Sequence, residues 1–174
     1  HLSITFSYNR LAGAYYGQGK FDEAVEYYQK ELAIQLKTLG PEQPDVGTTY
    51  LNLAEVYSDK GEYDEAIGYY SRSLGIYSKT FGPEHPSVAA AFVDLALAYR
   101  NKNEHDKAIG HFGKALAIYL KVLGPEHPTI AFNYNDLDLT YKEKGDYPKA
   151  IEYWEKPLVI LMQNFGPNDP RVAT

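Results

Sequence analysis

A short turn motif recurs along this chain at a fixed interval. The segment 82–86 reads Gly-Pro-Glu-His-Pro, and related segments begin 42 residues earlier, 42 residues later and again at residue 166. The glycine suits the left-handed residue that ends a helix, the first proline prevents the helix from continuing, and the second proline suits the first residue of the next helix. The chain is therefore an array of repeats, each bounded by a helix end and a helix start.

Within each copy, small and aromatic residues recur at helical spacing. One position is always alanine, the residue four positions later is always aromatic, and a leucine lies thirteen positions before the alanine. Because spacings of three and four place side chains on one helix face, each copy is predicted to contain two amphipathic helices. The alanine column is Ala24, Ala66, Ala108 and Ala150, and the aromatic column is Tyr28, Tyr70, Phe112 and Trp154. The predicted helices lie near 3–18, 21–38, 44–60, 63–80, 86–102, 105–122, 128–144 and 147–164.

Two further aromatic columns flank the leucine in the first helix of each copy and account for many of the 17 tyrosines. We predict that small residues let the two helices of a copy approach closely, while leucines and rings fill the space between one copy and the next. We therefore interpret the rings as core side chains rather than as a stacking platform for RNA. The columns are Tyr8, Tyr50, Phe92 and Tyr134, and Tyr15, Tyr57, Tyr99 and Tyr141.

The same positions resemble a known family of repeats. The tetratricopeptide pattern of an aromatic, a leucine, a small residue and a tyrosine, followed by an alanine and a second aromatic, is matched here by Tyr50, Leu53, Ala54, Tyr57, Ala66 and Tyr70. The period of 42 residues exceeds the usual period of about 34, and this longer form resembles the repeats of kinesin light chains and their bacterial relatives. The resemblance implies an all-α fold, a right-handed α-solenoid of antiparallel helix pairs with four tetratricopeptide-like repeats.

The repeats divide the chain into a single array with predicted boundaries. The copies span approximately 1–39, 40–81, 82–123 and 124–165, and a fifth copy begins at 166–174. We interpret the chain as a piece of a longer array. Because each copy buries one face on its neighbour, we expect exposed apolar surface at both ends.

Composition excludes several classes of function. The chain is 44% hydrophobic, contains no apolar run long enough to cross a bilayer, and has no cysteine. Its formal net charge is −6, with no cluster of Lys and Arg. We expect no membrane association and no nucleic-acid partner, because nucleic-acid binding depends on a basic surface. The lack of cysteine fits a reducing compartment, and we expect a cytoplasmic protein.

The sequence contains no pattern that predicts catalysis or cofactor binding. His105 and His111 are six residues apart, which does not match the spacing of a helical zinc pair, and phosphate-binding or nucleophile motifs are absent. His85 and His127 each precede a helix-starting proline, so we assign them to turns or helix caps. We expect no catalytic residue, no metal and no cofactor, and therefore no enzyme activity within this chain.

Single positions depart from the repeat pattern. Asp138 occupies a column that is otherwise alanine, and we expect its carboxyl group to be hydrogen-bonded or to have a raised pKa. Pro157 lies inside the last predicted helix and predicts a bend. Asn103 replaces a turn glycine and is the next-best left-handed residue. In the second copy, Gly61 is predicted to end one helix and Asp64 to cap the next.

The predicted function is a non-enzymatic protein-interaction scaffold. In this architecture the first helices line a concave groove that binds a peptide or partner protein. The predicted groove residues are Asn9, Arg10, Gly13 and Tyr16, then Leu51, Asn52, Glu55 and Asp59, then Asp94, Leu97, Arg100 and Asn101, and finally Asn135, Asp136, Leu139 and Lys142. Two alternatives remain open: a self-assembly module that forms homo-oligomers through its ends, and a sensor arm of a larger signalling protein.

The resemblance also argues against two specific ligands. Chaperone-binding members of the family hold a C-terminal carboxylate with Lys, Asn and Arg, whereas here Asn9 and Gly13 stand in the first helix and Ala90 and Asp94 in the third copy. Kinesin light chains bind acidic cargo peptides through basic groove residues. The predicted groove offers three cations against four carboxylates, so neither a carboxylate clamp nor that kind of cargo binding is expected.

Overall fold

A computed structural model describes the backbone of residues 2–165 and the side chains of residues 4–156 and Met162. The described backbone consists of eight α-helices joined by short turns, with no strand in that range, and the predicted boundaries are confirmed to within one residue. The helices are α1 Leu2–Gly17, α2 Phe21–Thr38, α3 Pro44–Asp59, α4 Tyr63–Phe81, α5 Pro86–Asn101, α6 His105–Leu123, α7 Pro128–Lys144 and α8 Tyr147–Phe165.

The recurrent turn has the backbone geometry that its residues predict. Gly40, Gly82 and Gly124 have φ angles of 88°, 88° and 83°, a region that glycine enters without steric cost. The second proline of each motif is the first residue of α3, α5 and α7. Between the helices of a copy, Gly61 has φ 79° and Asn103 has φ 64°, so both predictions of left-handed turn residues are confirmed.

Two histidines cap the helices that follow the turn motif. The backbone N–H of Ser87 donates to Nδ1 of His85 at 3.1 Å, and the backbone N–H of Thr129 donates to Nδ1 of His127 at 3.2 Å. Each imidazole thereby satisfies one of the free N–H groups at a helix start, as predicted. The cap predicted at Asp64 is wrong, because α4 already begins at Tyr63 and Asp64 lies in its first turn.

The chain divides into two compact units, His1–Pro83 and Glu84–Thr174. In the first unit α1 packs on α2, α2 on α3, and α3 on α4. Tyr28 of the first copy and Leu53 of the second belong to one buried cluster, so this aromatic column joins successive copies as predicted. The described members of that cluster are Ala12, Ala24, Tyr28, Leu53 and Val56.

The second unit repeats this packing with α5 to α8. Phe112 and Leu137 share a cluster with Ala96 and Ala108, again joining two copies through the aromatic and leucine columns. A second cluster contains Ala89, Ala115, Tyr119, Ile130 and Ala131. Within each unit, therefore, the predicted all-α class of paired helices is confirmed.

The other two aromatic columns make a ring contact within each copy that the sequence did not predict. Tyr15 stacks on Tyr27 of the same copy, with ring centroids 5.4 Å apart and planes 6° apart, and Tyr8 lies 5.9 Å from Tyr27. Tyr15 and Tyr57 also pack against the buried cluster that joins the first two copies, and Phe92 and Tyr134 pack against one that joins the last two, so the predicted packing between copies is found as well. The other trios are Tyr50, Tyr57 and Tyr69, then Phe92, Tyr99 and His111, then Tyr134, Tyr141 and Tyr153.

Both ends of the described chain expose apolar side chains, as predicted. Ile4 and Phe6 of α1 are exposed, as are Ile151 and Trp154 of α8. Helix α8 continues through Pro157 to Phe165, so the bend at Pro157 stays a prediction. The predicted start of a fifth copy at 166–174 lies outside the described residues.

The described helices include none that could cross a bilayer, since each falls short in apolar character or length.

Candidate protein-binding face

The predicted groove residues lie on the first helix of each copy. We define the first-helix face as the sides of α1 and α3 in the first unit, and of α5 and α7 in the second, that carry these predicted residues. In the first unit, Tyr16 Oη of α1 donates a hydrogen bond to Asp59 Oδ2 of α3 at 2.6 Å. This bond brings two predicted residues from successive copies into direct contact.

Carboxylates are the main charges on the first-helix face around Tyr16 and Asp59. Glu55 and Asp59 are both exposed on α3, one helical turn apart. Partial burial raises the pKa of Glu55, and the nearby charge of Asp59 raises it further. Burial also raises the pKa of Tyr16, and the hydrogen bond to Asp59 adds to this effect. The face is therefore negatively charged at Glu55 and Asp59, beside the neutral phenol of Tyr16.

The side-chain amide of Asn9 is directed at a residue of α2. Its Nδ2 donates to Glu31 Oε2 of α2 at 3.1 Å, so the amide binds a neighbouring side chain. Gln35 Nε2 also donates to Glu31 Oε1, at 3.1 Å, and Thr49 Oγ1 of α3 donates to Gln35 Oε1 at 2.8 Å. We call these four residues, Asn9, Glu31, Gln35 and Thr49, the polar cluster.

Glu31 and Gln35 were not among the predicted groove residues, because they lie on a second helix and only first helices were considered. The repeat pattern does contain a signal for Glu31. The position of Glu31 is held by Ser73 and Ala115 in the next two copies, so a carboxylate there departs from the repeat pattern as clearly as Asp138 does.

In the second unit, an ion pair links the first helices of successive copies. Arg100 Nη1 of α5 lies 3.4 Å from Asp136 Oδ1 of α7, and Arg100 Nε lies 4.0 Å from Glu143 Oε2. Burial raises the pKa of Asp136, and the guanidinium of Arg100 opposes that rise. Arg100 occupies the same column as Tyr16, so one repeat position bridges to the next first helix in both units.

The remaining predicted residues are spread along the same helices. Arg10, Asn101 and Lys142 are exposed, whereas Asn52, Asp94 and Asn135 are half-buried. Asp94 helps to raise the pKa of Tyr119, although burial is the larger cause. The second unit thus offers charges of both signs, in contrast to the acidic part of the first unit.

Asp138 is buried, with 6% of its surface exposed, in the column where Ala12, Ala54 and Ala96 are 0% exposed. Burial raises the pKa of its carboxyl group, and the charge of Lys142 one turn away opposes this rise. The predicted increase in pKa is therefore found.

His105 and His111 of α6 contact side chains of neighbouring helices. His111 stacks on Tyr99 with centroids 5.4 Å apart, and burial lowers its pKa. His105 Nδ1 lies 3.9 Å from Glu143 Oε2. Among the residues that the structure describes, no group of three or more His, Asp or Glu side chains is placed to hold a metal ion.

Comparison with known proteins identifies the repeats. The family model for the tetratricopeptide repeat matches residues 3–79, 45–121 and 87–157, which overlap and together cover most of the chain. The chain belongs to the tetratricopeptide repeat family. No curated protein matches the sequence significantly.

Solved structures show the longer form of the repeat. The nearly identical TPR-like repeats of a kinesin light chain-like protein from Podosopora anserina are 31% identical, with a TM-score of 0.85, over 99% of this chain and 82% of that one. BtubC (BKLC) from P. vanneervenii is 27% identical, with a TM-score of 0.83, over 98% of this chain and 68% of that one. The predicted resemblance to kinesin light chain-type repeats is confirmed.

A more distant likeness concerns the fold alone. MamA is 22% identical, with a TM-score of 0.68, over 91% of this chain and 79% of that one. The feature that this chain shares with MamA is the fold.

Proposed function

We propose that this tetratricopeptide array is a non-enzymatic scaffold that binds a peptide or partner protein on its first-helix face. The observation that best supports the proposal is the Tyr16–Asp59 hydrogen bond. This bond links a side chain of α1 to one of α3, and the Glu55 and Asp59 side chains remain exposed. Core packing gives no reason for two adjacent carboxylates at these positions, whereas a polar partner does.

The charges on the face define the kind of partner. Glu55 and Asp59 make the first unit acidic, and Arg100, Asp136 and Lys142 give the second unit both signs. A peptide with cationic and amide groups would find complementary groups on the first-helix face of each unit taken by itself. An acidic peptide would be repelled by the first unit. The absence of the Lys and Asn of a carboxylate clamp, where Asn9 and Gly13 stand, also disfavours a C-terminal carboxylate.

Selection from a random peptide library, followed by binding measurements on variants, tests this proposal. Asn52→Ala and Asn135→Ala alter half-buried residues of the face, one in each unit. Glu26→Ala, on the second helix α2, is the control because Glu26 is exposed and, among the described side chains, forms its ion pair with Lys30 of the same helix. We expect the selected peptides to lose affinity for the face variants and not for the control. If every captured peptide is indifferent to both face variants, the face is not the binding surface.

A second candidate, self-assembly through the ends of the array, is favoured by the exposed apolar residues of α1 and α8. The side chains of Ile4, Phe6, Ile151 and Trp154 are between 46% and 64% exposed. Large exposed apolar side chains in one region often mark an interface between proteins. Sedimentation velocity over a range of protein concentrations distinguishes this candidate, because a chain that stays monomeric at the highest concentration does not assemble through these surfaces.

A further inference from the structure

An open pocket of about 320 Å³ lies between α1, α2 and α3 in the first unit. Its wall includes Asn9, Glu31, Gln35 and Thr49, which form the polar cluster, together with Asp45 and the ring of Phe6. A water molecule takes up roughly 30 Å³ of liquid, so the pocket has room for a side chain of a partner.

The pocket contains a buried carboxylate without a cation. Glu31 is 5% exposed, and its hydrogen bonds come from the neutral amides of Asn9 and Gln35. Among the side chains that the structure describes, no Lys, Arg or His forms an ion pair with Glu31. Burial raises the pKa of Glu31, the hydrogen bonds that its carboxylate accepts oppose that rise, and the nearby charge of Asp45 adds a smaller increase. A buried carboxylate usually has a cationic partner, because the loss of hydration is costly.

The other copies show that the fold does not need this cluster. Two copies later, at the positions of Asn9, Glu31 and Gln35, stand Val93, Ala115 and Tyr119. Ala115 and Tyr119 are buried in an apolar cluster of the second unit, and Val93 packs against it. Gln35 is smaller than tyrosine, so it leaves open the space that a ring would fill. At these three positions polar side chains thus stand where the third copy has apolar or aromatic ones, while Asn133 stands at the position of Thr49.

We propose that this pocket binds the guanidinium group of an arginine side chain presented by the partner peptide. Glu31 and Asp45 would supply the two carboxylates, and the fork of N–H donors in a guanidinium group matches carboxylate geometry. The inference rests on the proposed function, since it names one residue of the partner. The ring of Phe6 at the wall lies 5.8 Å from the guanidinium of the chain's own Arg10.

Titration of the full 174-residue chain with small probes tests the pocket directly. The probes are acetyl-Gly-Arg-Gly-amide, the same peptide with norleucine in place of arginine, and agmatine, which carries a guanidinium group without a peptide. The side-chain amide signals of Asn9 and Gln35 in an NMR spectrum report on occupancy, because both amides contact Glu31. We expect saturable shifts with the arginine peptide and none with the norleucine peptide.

Two variants and a control complete the test. Glu31→Gln keeps the shape of the side chain and removes its charge, so affinity for the arginine peptide should fall by about tenfold or more. Asp45→Asn should cause a smaller loss, and Glu26→Gln, on the outer surface of α2, should cause none. Equal affinity of Glu31→Gln and the unaltered chain would overturn the proposal, as would equal binding of the norleucine peptide.

The remaining outcomes distinguish a peptide from a small molecule as the source of the guanidinium group. They also distinguish a failure of the arginine pocket from a failure of the first-helix face. Tighter binding of agmatine than of the arginine peptide would reject a peptide as the source and assign the pocket to a small guanidinium compound. If library-selected peptides respond to Asn52→Ala and Asn135→Ala but not to Glu31→Gln, the first-helix face stands and the arginine pocket does not. If the pocket binds the arginine probe while the selected peptides bind both face variants with unchanged affinity, the arginine pocket stands and the first-helix face does not.

Discussion

Gly47 of α3 lies directly against the ring of Tyr77 in α4, the other helix of its copy. A Cβ atom built on Gly47 would lie 2.8 Å from Cε1 of Tyr77 and 3.4 Å from Cγ2 of Ile76. Tyr77 is also fixed at its far end, where its hydroxyl lies 3.0 Å from Thr48 Oγ1. The close approach of α3 and α4 therefore depends on the missing side chain at Gly47.

Replacement of Gly47 by alanine should destabilise the first unit. The new methyl group would push on a ring that is 8% exposed and hydrogen-bonded. Overpacking of this kind costs on the order of 1–3 kcal/mol, which exceeds the gain of roughly 1 kcal/mol in helix propensity. Thermal unfolding followed by circular dichroism measures the difference.

Gly68→Ala is the matched control for that substitution. Gly68 lies inside α4 and has nothing within 4 Å of a built Cβ. Only the helix propensity should change, so Gly68→Ala should stabilise the chain by up to about 1 kcal/mol. A rise in melting temperature for both variants would show that Tyr77 moves aside freely.

Glu31→Gln should increase stability, and the gain should depend on pH. The pKa of Glu31 is raised in the folded chain above its ordinary value of 4.5. The unfolded chain therefore loses this proton first as pH rises, and folding is weakened from about pH 4.5 up to the raised pKa of Glu31. The variant lacks this loss, so its advantage in free energy of unfolding should be larger at pH 7 than at pH 4. Urea unfolding at the two pH values checks it, and an equal difference at both would contradict the assignment.

Asp138→Ala should stabilise the second unit. The carboxyl group is buried and has a raised pKa, while alanine at the same position of the other copies is completely buried. Removal of a poorly solvated carboxyl group should gain on the order of 1 kcal/mol at neutral pH. Differential scanning calorimetry measures the shift, and a lower melting temperature would refute this interpretation.

Lys142→Ala provides the complementary variant. Lys142 opposes the rise in the pKa of Asp138, so its removal should destabilise the chain when Asp138 is present and have little effect in the Asp138→Ala background. A double-mutant cycle over the two substitutions isolates that coupling.

His111→Tyr should protect the second unit against mild acid. Burial lowers the pKa of His111 below its ordinary value of 6.5, so the unfolded chain takes up the proton more readily and stability falls as pH drops through 6.5. The other copies have Tyr27, Tyr69 and Tyr153 at this position. The advantage of the variant should therefore grow between pH 7.5 and pH 5.5, as measured by thermal unfolding. A constant difference over that range would mean that His111 does not carry the effect.

The sequence determined the local structure of this protein. The glycine and the second proline of each turn motif fixed where helices end and begin, because left-handed backbone and a missing N–H are local properties of those residues. Helical spacing of small and aromatic residues was sufficient to assign the family and to predict that leucines and rings fill the space between copies. The predicted first-helix residues share their helices for the same reason, and whether they bind a partner stays a prediction.

The tertiary structure decided which side chains meet. Tyr8 and Tyr15 pack on Tyr27 of their own copy, and Asn9 turns to Glu31, although helical spacing alone permitted other partners. Spacing along one helix defines a face but not the neighbour that covers it. The burial of a side chain depends on atoms of other helices, and their distances are fixed only when the helices pack. The raised pKa of Glu31 and the lack of room for a side chain at Gly47 both follow from such burial.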